Sequence, residues 1–267
     1  MKKYISFFRL RTVMGLQYRV AAVSGIATQF FWGFMEIFAL HAFYETNRAA
    51  YPMTMEATCA YVWLQQAFLA FFDVWVMDGE ITETIVNGNV AYELCRPLHI
   101  YDMWFARGMA NRISRACLRC IPILLVASLL PKPYGISLPA DGTHFVLFVL
   151  TLLLGLTVVV ASCTLVCVIS FFTISADGIR ILFASMSELL MGAVIPLPFF
   201  PEKIQRVLEM LPFAAMQNVA LRVYSGNLTG NEMWRAVCFQ AFWAVVLIAG
   251  GKMLCNAAEK KVMIQGG

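Results

Sequence analysis

Four charged residues stand where water is scarce: Glu36, Asp73, Arg119 and Glu188 each lie inside a long apolar run. An ionised group at the centre of a bilayer costs about 3 kcal/mol or more unless it is paired or wet. An acid kept there either holds a proton, an ion or a substrate cation, or locks helices together through an arginine. Arg119 lies about ten residues into an outward-running segment and Glu188 about nine into another. At about 1.5 Å per residue both reach the midplane, so an Arg119–Glu188 pair is geometrically possible. Asp73 falls near the cytoplasmic end of its segment, at the level of Arg112 and Arg115. Glu36 sits in the outer half with no basic residue at its depth, which leaves it to face water or a subunit interface. For all three acids a site and a structural pairing stay open as readings.

Other chemistry finds little support in the residues. His41, His99 and His144 are far apart, and no pair has metal-ligand spacing on one helix. Cys117 and Cys120 form a C-x-x-C inside an apolar run, with no second pair and no nearby His; with the other six cysteines they read as small membrane hydrophobes. "MEIFALH" is not a zinc motif, and no G-x-S-x-G elbow occurs. "AGGKM" places Met253 where a phosphate loop needs Ser or Thr, at the end of an apolar run. The chain is therefore expected to be no enzyme by itself and to hold no metal or other cofactor. "NLT" at 227–229 matches a glycosylation sequon, a pattern common by chance.

The elements that must position these charges follow from hydropathy. The 267 residues are 60% hydrophobic and only 13% charged, about half the charged share of a soluble domain, and the mean hydropathy is +0.72. Continuous apolar runs of about 20 residues fit helices crossing about 30 Å of hydrocarbon, not barrel strands. Six runs qualify: Val20–Tyr44, Thr58–Met77, Met109–Leu130, Phe145–Phe172, Ile179–Leu197 and Met233–Cys255. The expected fold is an all-α integral membrane protein, one transmembrane domain over residues 1–267 with six transmembrane helices. No small-residue cleavage site follows a short apolar core, so no removable leader is expected.

Six crossings put both termini on one side. That side and the first half of the third run own fourteen of the Lys and Arg residues; the other side owns six, Arg48, Lys132, Lys203, Arg206, Arg222 and Arg235. The positive-inside bias makes the termini cytoplasmic, in a plasma or inner membrane. The net charge of +4 fits this bias, and no basic-aromatic patch points to nucleic acid.

Residues 1–19 mix five basic residues with Tyr4, Ile5, Phe7, Phe8 and Leu10, the composition of an amino-terminal helix in the membrane interface. In the tight turn 173–178, Asp177 is placed to cap the fifth crossing. Pro196, Pro198 and Pro201 end that crossing. Beyond them Ile204, Val207, Leu208 and Leu211 recur at i, i+3, i+4 and i+7, an amphipathic helix. The external segment 198–232 is therefore expected to form a helical hairpin that dips into the outer leaflet, caps a pathway or covers the crossings.

Between the second and third runs lies "DGEITETIVNGNVAYELCRPLHIYD", residues 78–102. It is too rich in Ile, Val, Tyr and Leu to be a disordered loop. Asn87-Gly88-Asn89 offers a tight turn, and Pro97 suits the first position of a helix. Val90, Tyr92, Leu94 and Leu98 supply an apolar knob, and Glu80, Glu83 and Glu93 an acidic rim.

Ile85, Gly88, Leu94, Arg96, Pro97 and Leu98 resemble the pattern between the second and third crossings in permease subunits of ABC-2-type ATP-binding-cassette transporters. The carboxy-terminal "PLPFFPEKIQRVLEMLPFAAMQNVALRVYSGNLTG" is similar to the external Pro-rich segment, amphipathic helix, Leu-Pro-Phe and Tyr-x-Gly of the same branch. It departs from that branch at "NVAL", where a Pro is common. The resemblance implies a half-transporter that pairs with a second copy or a similar permease and docks a separate cytoplasmic ABC ATPase subunit, which binds the ATP and Mg. It implies that the region 78–108, with Ile85, Gly88, Val90, Tyr92, Leu94, Arg96, Pro97 and Leu98, is the coupling element. The cargo would be exported, and the aromatic-rich first run suits an amphipathic or peptide-like one or a face toward membrane lipid. The alternative is an ion-coupled secondary transporter or channel that uses Glu36, Asp73 and Glu188.

Overall fold

The computed structural model describes residues 2–17, 19–139, 141–173 and 175–260. These residues are mostly α-helical, with short 3-10 turns, loops and, among the described residues, no strand. In chain order the helices are α1 (Lys2–Leu16), α2 (Arg19–Thr46), α3 (Met55–Ala67), α4 (Leu69–Phe72), α5 (Gly79–Val86) and α6 (Val90–Leu94). They continue with α7 (Ile100–Leu129), α8 (Gly142–Ile169), α9 (Ala176–Leu190), α10 (Glu202–Glu209), α11 (Asn218–Tyr224) and α12 (Gly230–Glu259).

The central post is α8. Its sequence is apolar all round, as a helix surrounded by others must be. Leu156, Val158, Val159 and Ala161 are fully buried. It packs on α12, α11, α7, α4 and α9. At Gly155 the backbone of the chain before α11 comes so close that a Cβ would strike the Met216 carbonyl. The outer faces of α2, α7, α9 and α12 remain apolar, with Phe31, Phe38, Leu129, Leu182 and Val245 more than half exposed. Apolar surface of that extent is membrane surface.

Three helices have both the length and the apolarity to cross a bilayer: Ser24–Thr46, Gly142–Phe172 and Gly230–Glu259. The other three runs differ from their sequence-based outlines. The second is broken: α3 stops at Ala67, α4 adds one turn to Phe72, and the chain is non-helical from Asp73 to Asp78. The third starts early, at Ile100, and carries Asp102, Arg107, Arg112, Arg115 and Arg119 along α7. The fifth, α9, ends at Leu190, before its prolines.

Local caps also differ from expectation. Ser175, not Asp177, caps α9: its hydroxyl accepts from the Gly178 N–H at 3.1 Å. Asp177 sits in the first turn and pairs with Arg180 at 3.1 Å. Pro97 does not open α7; two residues intervene, and His99 occupies the cap position. External segment 198–232 splits in two. In α10 one face is apolar and the other pairs Arg206 with Glu202, whereas every residue of α11 is buried among α8, α3 and α12.

Candidate coupling hairpin and the charged cavity behind it

Helices α5 and α6 form a short hairpin whose turn is Asn87-Gly88-Asn89. Gly88 has φ +72°, and a Cβ built there meets nothing within 4 Å. The glycine is needed for its backbone conformation, not for space. The inward face of the hairpin rests on a small core. Ile81 and Val90 are buried with Ile100, Tyr101, Met103 and Trp104 of α7, and Ile85, Leu94 and Leu98 are half-buried against them. Val90 is therefore part of the hairpin's own support and not of an outward knob. The apolar side chains that do project are Val86 and Tyr92, 70% and 75% exposed. Arg96 and Pro97 are also exposed.

The acids of the hairpin divide in the same way. Glu93 accepts a hydrogen bond from the Trp104 indole N–H at 2.7 Å. Asp78, at the cap position of α5, makes no cap hydrogen bond. Its carboxylate turns to Arg107, Nη2 donating at 2.8 Å, and to Asn111 at 3.3 Å. The Arg107 guanidinium also pairs with Glu80, which reaches Arg11 of α1 at 3.9 Å. Glu80 and Glu93 are thus engaged within the chain, and Glu83 is the acid that faces outward. Arg107 is 7% exposed and is the clamp that fastens the hairpin to α7. In sequence it reads only as one more cytoplasmic charge; the acids it binds are more than twenty residues away.

Behind the clamp is a cavity of about 620 Å³ between α1, α4, α5, α7 and α8. Arg112, Arg115 and Arg119 fall on one stripe of α7 and line it with Arg11 and Arg107. Burial first, and then the charge of Arg107, lower the pKa of Arg11; Glu80 and Asp78 oppose this. Arg112 solves the problem created by the broken second run. Its guanidinium donates to the carbonyls of Ala70 and Phe71, at 3.3 and 3.5 Å, and to that of Asp73. Terminal carbonyls of a helix have no internal partner, and a buried cation satisfies them here.

The four charges first singled out do not converge. The Asp73 carboxylate accepts from the backbone N–H groups of Trp75 and Val76, at 2.9 and 3.3 Å; only its carbonyl meets Arg112. Glu188 accepts from the Trp75 indole N–H at 2.8 Å. The Arg119 guanidinium lies against Gly25 of α2, 2.7 Å from where a Cβ would stand. No Arg119–Glu188 ion pair forms among the described residues: Arg119 lies against α2, and Glu188 against Trp75 in the segment after α4. Glu36 meets Gln66 at 3.5 Å, and its second oxygen is buried without a partner. Sequence reading also passed over two buried amides in the interior: Gln65 donates to the Ala193 carbonyl at 2.8 Å, and Gln240 to those of Thr151 and Ala215 at 2.9 Å. Glutamines within apolar runs were the available signal.

A second cavity, about 550 Å³, lies between α10, α11 and α12. There Arg222, 8% exposed, pairs with Glu209 and donates to Asn227 Oδ1 at 2.6 Å. This fixes α10 to the end of α11.

The sequence matches the family described as ABC-2 family transporter protein over residues 30–266. No curated protein matches the chain. The matched region takes in α3 to α12 and most of α2, including the hairpin, its clamp and the external segment. The chain belongs to the ABC-2 transporter family, as a membrane-embedded permease component.

Proposed function

We propose that this permease is the transmembrane half of an ATP-driven exporter, with six crossings and both termini cytoplasmic in the plasma or inner membrane. The crossings are α2, α3–α4, α7, α8, α9 and α12. It pairs with a second copy or a similar permease. A separate ABC ATPase binds the ATP and Mg and docks on the α5–α6 hairpin. The observation that carries this reading is the division of the hairpin. Its inner face is anchored by Arg107 and Trp104, and its outer face offers Val86, Tyr92 and Glu83 around a glycine turn. A rigid lever needs both: an anchor to transmit force and a projecting surface to receive it. Closure of the ATPase pushes the hairpin, and α7, held by Arg107, turns with it. Segment 198–232 re-enters the outer leaflet, where α11 packs against the central post. The cargo is an amphipathic or peptide-like molecule, and no covalent step acts on it.

Gly88→Val tests the lever. A β-branched residue at φ +72° is strained by about 1–3 kcal/mol, in a turn where the side chain meets no neighbour. Expression of the permease is expected to survive, while copurification of the ATPase and the ATPase activity of the complex fall. Gly88→Asn, which tolerates positive φ, is expected to restore most of both. Normal coupling in Gly88→Val would show the hairpin to be a passive connector.

The buried, unpartnered oxygen of Glu36 favours a second reading, an ion-coupled carrier. Transport that persists in Glu36→Gln and stops on loss of the ATPase would exclude it.

A further inference from the structure

We infer that the arginine-lined cavity behind the hairpin binds the phosphate group of an anionic amphiphile drawn from the cytoplasmic leaflet. This inference rests on the permease reading only for the side of the membrane. The cavity holds five arginines against three acids, Asp73, Asp78 and Glu80. The acids are already engaged: Asp78 and Glu80 by Arg107, Asp73 by two backbone amides. Arg112 is held by carbonyls, which satisfy its hydrogen bonds and leave its charge uncompensated. Arg115, one turn farther along the stripe, is exposed, and no carboxylate among the described residues lies within ion-pair distance of it. The wall thus has two full positive charges with no counter-ion in contact. In a cleft with apolar walls such charges attract an anion more strongly than on an open surface.

The remainder of the lining selects an amphiphile. Leu69, Met14, Leu118 and Val160 form apolar walls beside the arginines. A volume of about 620 Å³ falls within the range of small-molecule sites and suits a headgroup with its first methylenes. One wall is α1, which packs along α7 and leaves Ile5, Leu10 and Val13 exposed, apolar surface suited to contact with lipid. The cavity therefore lies beside the leaflet from which a lipid would come, and basic pockets between helices on the cytoplasmic side are suited to phosphate headgroups.

The test uses the purified full-length permease in detergent, with native mass spectrometry after incubation with phosphatidylglycerol or with phosphatidylcholine. Retention of phosphatidylglycerol over phosphatidylcholine is expected. Arg115→Gln is expected to lower it about fivefold, the effect of removing one cation at a membrane surface; Arg115→Lys retains most of it, and Arg48→Gln, on the far side, leaves it unchanged. Equal retention by wild type and Arg115→Gln overturns the site. Where Arg115→Gln does not fold, Arg11→Gln on α1 gives the same comparison with the same two outcomes. Inorganic phosphate at millimolar concentration decides the source: failure to displace the lipid supports an amphiphile, and full displacement overturns the amphiphile in favour of a soluble phosphate compound. Lipid retention requires neither ATPase nor transport, so its failure is separate from failure of the exporter reading.

Discussion

Removing the guanidinium of Arg107 leaves Asp78 without the one arginine that bonds to it among the described residues. The two side chains are 7% and 16% exposed. Breaking a buried ion pair from one side costs about 3–5 kcal/mol; Glu80, 70% exposed, adds little because water replaces its partner. Arg107→Ala is expected to lower permease stability by about 3 kcal/mol, read as thermal unfolding in detergent. Arg107→Lys recovers only part, since an ammonium cannot bridge two carboxylates in a planar fork. A loss under about 1 kcal/mol would show that the clamp is solvated. Asp141 illustrates a different case. It caps α8 by accepting from the His144 N–H at 2.7 Å, and its ring nitrogen is also 2.7 Å away. The backbone N–H, then the imidazole, hold the carboxyl pKa below its ordinary 3.8. A lowered folded-state pKa means that the cap's contribution is fully present above 3.8 and is lost as pH falls through the lower folded value. Carbon-13 titration of the Asp141 carboxyl is expected to give a midpoint below 3.8; a midpoint at or above it would remove the cap's role.

Two helical glycines separate packing from propensity at the scale of elements. On α8, Gly155 faces the Met216 backbone, and a methyl group there forces apart α8 and the segment leading into α11. On α12, Gly250 is exposed and has nothing within 4 Å. Gly155→Ala is expected to destabilise by about 1–3 kcal/mol, the usual cost of overpacking. Gly250→Ala is expected to stabilise by about 0.5–1 kcal/mol through helix propensity alone. Thermal unfolding of the two variants side by side checks both signs. A neutral Gly155→Ala would mean that α11 is loosely seated and free to move away from the post.

The whole molecule is organised as a post, a skin and a lever. Buried α8 is the post, the apolar outer faces of α2, α7, α9 and α12 are the skin, and α5–α6 is the proposed lever. In the proposed reading, the basic asymmetry orients this assembly with the hairpin inside the cell. In a cysteine-free background, Lys3→Cys and Lys260→Cys are expected to react with an impermeant maleimide only after the membrane is opened, and Lys132→Cys from outside in intact cells. Outside labelling of position 3 or 260 would overturn the six-crossing topology. The prediction is worth testing because α3–α4 and α9 are shorter than a free-standing crossing. In the six-crossing reading their neighbours must complete the passage.

Composition, periodicity and backbone preference determined the helical membrane class, the amphipathic α10 and the glycine turn at Gly88, and the motif residues around Arg96-Pro97 carried the resemblance to ABC-2 permeases. Each depends on residues close in sequence, where hydropathy and backbone preference act directly. Tertiary structure decided which charges meet. Depth along a helix placed Arg119 and Glu188 at one level, but depth carries no information about azimuth; α9 packs on α8, and Glu188 bonds to Trp75 instead. The same limit hid the break after Ala67, since α4 is as apolar as any crossing and its end is satisfied by Arg112, about forty residues away on another helix. It also turned Val90 inward and Tyr92 outward. Which side of a five-residue helix is buried depends on the surface beneath it, and that surface is α7.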